Sequence, residues 1–295
     1  MKRHANVLMA LMIMLLCSCN SKHLINDEMF RKSVFADYSQ REKILGRHAP
    51  DIFSKIDQER DPVKKEALMY LAAYLPLNDF GDYPYPTLSG TVDVALKTRK
   101  EMPWGKDIPA DVFLSFVLPP RVNNENLDSF RIKYFNEISG RVKGLDEALA
   151  ALEINHWCHE KVAYQPSDSR TSAPMATILS ARGRCGEEST FTVSALRAAG
   201  IPARQVYTPR WAHTDDNHAW VEVWVNGKWH YMGACEPEPV LDRGWFTEPA
   251  RRAMLIHTKA FGNYKGNEPR VKSCEYFSEV NCLPEYAVTK KLNVS

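Results

Sequence analysis

The chain has 295 residues, enough for one large domain or two smaller ones. Hydrophobic residues make up 44% and charged residues 25%, which argues against a disordered chain and for one that buries a real core. Thirty-eight basic side chains against 36 acidic ones leave a formal charge of +2, and this balance gives no reason to expect nucleic acid as a partner.

The first nineteen residues read as a leader. Lys2 and Arg3 precede an uninterrupted apolar run from Val7 to Leu16, which fits the h-region of a signal peptide and is too short to span a bilayer. Leu16-Cys17-Ser18-Cys19 resembles a lipobox, with Cys19 as the lipidated residue and Cys17 an uncommon occupant of the middle position. The expectation is an exported bacterial lipoprotein, held to a membrane by its N-terminal lipid at the periplasmic face or outer membrane. Five cysteines remain after the leader: Cys158, Cys185, Cys235, Cys274 and Cys282. An odd number leaves at least one thiol unpaired, and their spacings match neither a disulfide framework nor a CxxC zinc site. Cys274 and Cys282 could bridge a short loop.

From 20 to 106 the pattern is that of a helical N-terminal region. Val63, Ala67, Leu68, Leu71, Ala72 and Leu75 recur at helical steps, with Asp61 as N-cap, Pro62 as first helical residue and Pro76 as stop. Asp79 to Leu88, rich in Gly, Pro and Tyr, reads as a loop, and Thr91 to Lys100 as a further helix. Residues 107–262 form a second unit. It opens with short apolar Pro109 to Leu118, and Gly144 to Val162 follows as a helix carrying His156, Cys158 and His159. A metal pair at 156 and 159 lacks further ligands, so packing is the expected role.

Ser180 to Glu188 leads into a helix over Ser189 to Ala199, followed by a strand at Gln205 to Tyr207. His218 to Val225 alternates as a strand, Asn226-Gly227 is a hairpin turn, and Lys228 to Ala234 returns. Cys185 thus stands at a helix start between Gly183 and Gly186, with Arg182 and Arg184 nearby. Unpaired N–H groups, the helix dipole and positive charge there all favour a thiolate. A cysteine nucleophile also needs a base, and His218, opening its strand, is placed to serve.

Together, GxCGE at the helix head, LRAAGIPAR and NHAWVEVWVNGKW resemble the transglutaminase-like core over roughly residues 145–245. That resemblance implies an α+β, papain-like fold in which the cysteine helix packs on an antiparallel sheet. It also implies a Cys–His–Asp triad acting through an acyl-enzyme, with Cys185 as nucleophile and His218 as base. The implied substrates are peptides, proteins or glycopeptides, with no cofactor or metal.

One position departs from the family pattern: Gly233 stands where the orienting aspartate falls. Strict alternation sets His218 opposite Cys235, places Gly233 and Cys235 on the face of His218, and turns Glu236 away. A kink before Pro237 would bring Glu236 inward as the third catalytic residue; Asp216 and Asp242 are further acids. Trp211, Trp220, Trp224 and Trp229 are core aromatics or cleft walls. The backbone N–H of Cys185 is one oxyanion donor and Gln165 a second.

The leading reading is a thiol hydrolase of peptide or related amide bonds. A non-catalytic module with a degenerate triad, a peptide:N-glycanase-like activity and a crosslinking transglutaminase are the alternatives. A zinc site of Cys185, His218 and Cys235 lacks ligand spacing. Trp245 to Thr258 is expected as a helix and Tyr286 to Ser295 as a strand that pairs with the core or begins a further β-domain, within an extension over residues 263–295.

Overall fold

The computed structural model describes residues 23–166 and 171–290. Cys19 and the leader lie outside them. No described helix is long and apolar enough to cross a membrane.

The N-terminal region is helical: α1 (Glu28–Leu45), α2 (Pro50–Gln58), α3 (Pro62–Tyr74), α4 (Asn78–Asp82) and α5 (Tyr85–Glu101). The caps are local. Asp61 accepts from Val63 N at 2.9 Å and from Lys64 N at 3.3 Å, satisfying N–H groups the helix cannot reach. The loop expected over Asp79 to Leu88 is instead α4 and the first turn of α5. Pro84 sits at the N-cap of α5 and a proline occupies its first turn, where a missing N–H costs nothing.

Next come α6 (Ala110–Phe116), α7 (Phe130–Arg141) and α8 (Glu147–Lys161), then the short parallel pair β1 (Ala163–Tyr164) and β2 (Arg182–Gly183), with α9 (Pro174–Ser180) between them. α10 (Cys185–Ala198) follows β2 directly. Among the described residues one six-stranded antiparallel sheet forms, in the order β5-β4-β3-β6-β8-β7. Its strands are β3 (Ala203–Thr208), β4 (His218–Val225), β5 (Lys228–Met232), β6 (His257–Phe261), β7 (Arg270–Ser273) and β8 (Phe277–Asn281). The fold is therefore α+β, a helix carrying Cys185 packed on an antiparallel sheet behind a helical N-terminal region.

The sequence motifs build this junction. Gly200, at φ +73, ends α10; a Cβ there would press on the Thr98 side chain. Arg197, fully buried, donates to the carbonyls of Pro119, Arg121 and Ala203. Arg204 pairs with Glu222 across β3 and β4 at 2.6 Å, both buried. One face of β4, with Val221, Val223 and Val225, joins the main core with α10, while Trp220 joins a smaller core with Val206, Trp211 and Phe246.

Three expectations near the C-terminus are corrected. Trp245 to Thr258 forms only one helical turn, α11 (Thr247–Ala250), because Pro249 suits a first turn and not a helix interior. The chain then enters β6, whose alternation of buried Thr258 and Ala260 with half-buried His257 and Lys259 is a strand pattern. Residues 286–290 are not a strand: Tyr286 follows a 3-10 turn, and its hydroxyl accepts from Trp220 Nε1 at 2.9 Å; 291–295 lie outside the described residues. Finally, Cys274 and Cys282 are free thiols. Cys274 closes the β7–β8 turn against Phe277, whereas Cys282 lies beyond the far end of β8, about 17 Å of extended chain away.

Candidate active site

Cys185 is the first residue of α10, brought there by a tight approach. Gly183 pairs with Tyr164 in the β1–β2 ladder, and a Cβ on it would meet Glu187 Cβ at 2.7 Å, so only glycine lets α10 start this close. Glu187 reaches back to accept from Arg184 N at 3.0 Å and fixes the helix start. The thiol is half-buried. Burial pushes its pKa up, against the N–H groups of Ala219 and Gly186 and the charge of Arg184, which act to lower it. Ala219 is the residue after His218, so strand β4 touches the nucleophile with its first residues.

His218 is 8% exposed and packed among aromatic rings, with Trp245 at 4.7 Å and Phe246 at 5.4 Å between centroids. Burial lowers its pKa to about 4, so the imidazole is neutral at physiological pH. Its Nε2 is buried and finds no hydrogen-bond partner among the described residues. Cys185 and His218 both line one cavity of about 740 Å³. The resting site thus holds a thiol and a neutral imidazole rather than the thiolate expected at a helix start. Desolvation outweighs the local donors.

The third position differs from strict alternation. The β4–β5 ladder ends at Val221↔Met232, and the chain then folds into a turn bridged from Gly233 to Glu236, with Cys235 at φ +55. His218 is therefore not opposite Cys235. Cys235 Sγ packs on the other side, 3.6 Å from Thr192 Oγ1 of α10 and against Cys158. Glu236 is turned into the cavity. A Cβ built on Gly233 would lie 2.8 Å from Glu236 Cβ and closer still to its Oε2. The Glu236 carboxyl occupies the space an aspartate at 233 would enter. Its Oε1 accepts from Trp245 Nε1 at 3.2 Å, and burial raises its pKa.

Helix α8 holds that turn. Asn155 Nδ2 donates to Gly233 O at 2.8 Å and Glu236 O at 3.3 Å, and its Oδ1 accepts from Cys235 N at 2.9 Å. His159 Nδ1 lies 2.9 Å from Cys235 O, so His159 and Cys158 both serve the turn.

The other expected residues fall as follows. Asp242 pairs with His230 at 2.6 Å and Tyr231 N at 3.0 Å, away from His218. Asp216 lines the cavity rim and accepts from Thr214 at 3.0 Å. Gln165 is not among the residues that line the cavity, although its neighbours Tyr164 and Pro166 are, and its side chain accepts from Arg182 at 3.5 Å. Trp211 is a cavity wall and Trp220 lies beneath it, stacked at 6.1 Å, whereas Trp224 and Trp229 pack elsewhere, Trp229 against Phe116 and Arg204. Sequence reasoning missed Asn155, Trp245 and Glu188. Glu188 alone carried a signal, because it follows Cys185 by three residues on one helix face.

Residues 136–234 match the model of the transglutaminase-like superfamily, a segment that holds Cys185, His218 and Gly233 and stops short of Glu236. No curated protein matches the sequence. Among solved structures the chain is similar to a candidate cysteine protease from Cytophaga hutchinsonii, with 17% identity and a TM-score of 0.31 over 51% of this chain and 58% of that one. A candidate protease from Parabacteroides distasonis gives 16% identity and a TM-score of 0.33 over 61% of this chain and 32% of that one. The chain thus spans just over half the length of the first and about a third of the second.

Proposed function

We propose that the transglutaminase-like core of this chain is a thiol hydrolase of peptide or related amide bonds, with Cys185 as nucleophile, His218 as base and Glu236 as the acid that supports His218. The observation that carries the reading is the exchange at the third position: where Gly233 supplies no side chain, the Glu236 carboxyl fills the space.

In this account Sγ attacks the amide carbonyl as His218 takes the thiol proton, and the oxygen, now negative, is met by the N–H of Cys185 at the start of α10. His218 then returns the proton to the leaving amine as the C–N bond breaks. Water, deprotonated by the same imidazole, cleaves the thioester and frees the acid. Glu236 enters when His218 becomes imidazolium, because a buried cation needs a counter-charge. The exported-lipoprotein reading of residues 1–19 places this chemistry at the cell envelope.

A second reading, a non-catalytic binding module, is favoured by one observation: His218 Nε2 has no partner among the described residues. Turnover separates the two. Wild type and Cys185→Ala are incubated with peptide, glycopeptide and cell-wall-peptide libraries, and products and adducts are read by mass spectrometry. The hydrolase reading expects products and an acyl adduct on the Cys185 peptide, both absent from Cys185→Ala. Ligand retained without cleavage by both proteins would sink it in favour of the module.

A further inference from the structure

Glu188 lies on α10 three residues after Cys185, so both side chains leave the same face of the helix start. The residue is 4% exposed, yet it borders the cavity. No hydrogen bond or ion pair reaches its carboxyl from the described residues. What acts on it is burial, followed by the negative charges of Glu236 and Glu187. Together these push its pKa up to about 8.

A buried carboxyl is ordinarily paired, because water no longer solvates its charge. Among the described residues the one Lys or Arg that borders the cavity is Arg184. Arg184 is engaged by Glu187 at 3.4 Å, and His218 is neutral above about pH 4. Asp216 on the rim adds further negative charge. The walls are aromatic: Trp211 and Trp245 meet edge to face at 6.2 Å, and both border the cavity. Carboxylates and aromatic faces are the two surfaces that hold an ammonium ion. His218, more than nine-tenths buried in the same wall, also has a ring nitrogen, Nε2, that finds no hydrogen-bond partner among the described residues.

We propose that the cavity floor at Glu188 is a subsite for an ammonium group that the substrate carries close to its scissile amide. The subsite shares the cleft of Cys185 and rests on the amide-hydrolase reading for the bond that is cut. A substrate with a basic side chain or free amine beside the amide would supply the counter-charge that Glu188 lacks. A neutral or anionic substrate would leave that carboxyl buried and alone.

The test needs no turnover. The intact chain is treated with two methanethiosulfonates of similar size, the 2-aminoethyl cation and the 2-sulfonatoethyl anion. Each forms a mixed disulfide with Sγ and releases methanesulfinate. Rates are read at pH 8, where about half of Glu188 is ionised, on the Cys185 peptide, and the cation-to-anion ratio is divided by that of free cysteine. The subsite predicts a normalised ratio of about ten or more, the size of one charge interaction across roughly 6 Å at a partly solvated site. Glu188→Gln should bring the ratio close to one, and Glu188→Asp should retain most of it. A wild-type ratio near or below one overturns the proposal whatever the variants do, and so does a high ratio unchanged in folded Glu188→Gln. A cation preference in a chain that cleaves nothing would sink the hydrolase reading and leave the subsite. Cleavage of amides without the preference would do the reverse.

Discussion

The Glu236 carboxyl stands where a side chain on Gly233 would begin, and the two positions are joined by an antiparallel bridge across a four-residue turn. In the proposed account the acid of the site comes from Glu236 rather than from position 233. The positions should therefore be mutually exclusive. Gly233→Asp alone forces the new Cβ against Glu236 and should destabilise the chain by about 1–3 kcal/mol. Adding Glu236→Gly, which removes both the carboxyl and the Cβ that a side chain at 233 would meet, should recover most of that loss in thermal unfolding, and should restore whatever activity Glu236→Gly alone removes. A fully additive double variant would contradict the exchange.

Asn155 makes three hydrogen bonds to the turn and is fully buried. Asn155→Ala leaves two carbonyls and an N–H without their partner and should cost roughly 2–4 kcal/mol of stability, judged from one to three per orphaned buried group with partial relaxation. Its catalytic effect should run through Glu236. Asn155→Ala and Glu236→Gln should each lower kcat by about 10²-fold, within the range of lost acid–base support, and the double variant should be little worse than either. Two independent, multiplying losses would mean Asn155 acts by another route.

Two buried groups set opposing slopes of stability against pH. His218 has its pKa lowered from 6.5 to about 4, so the unfolded chain binds its proton first and stability falls as pH drops from 6.5 through 4. Glu188 has its pKa raised from 4.5 to about 8, so the unfolded chain releases its proton first and stability falls as pH rises from 4.5 through 8. Above pH 6.5 only the second slope remains. Wild type should lose about 1.6 kcal/mol relative to Glu188→Gln between pH 6.5 and 8, at 1.36 kcal/mol per unit and with the slope fading as the folded carboxyl ionises near pH 8. Urea unfolding at the two pH values reads it; parallel curves would show that Glu188 is not buried as described.

Much of this site was legible in the residues, for identifiable reasons. GxCGE, the Asn-Gly turn and the alternation of β4 are local patterns, and they located the helix start, the hairpin and His218. The orientation of Glu236 was not legible, because alternation holds only while the ladder continues, and here it ends at Met232. The turn that follows is held by Asn155, some eighty residues earlier in the chain. Long-range hydrogen bonds leave no periodic trace in sequence. The loop at 79–88 and the helix at 245–258 failed for a simpler reason: a proline starts a helix as readily as it stops one, and only its position in the turn decides.

The central claim is that His218 serves Cys185 as its base. In the resting site burial holds the thiol's pKa up and the imidazole's down, so reactivity near neutral pH must come from proton transfer within the pair. The direct measurement is the rate of Cys185 alkylation by iodoacetamide from pH 5 to 10, in wild type and His218→Ala. The account predicts that wild-type Cys185 reacts faster than free cysteine at pH 6, and that His218→Ala loses about 10²-fold there while converging with wild type at high pH. If both proteins instead follow one ionisation above the ordinary thiol range, with no difference at pH 6, Cys185 is a buried structural thiol and the account is wrong.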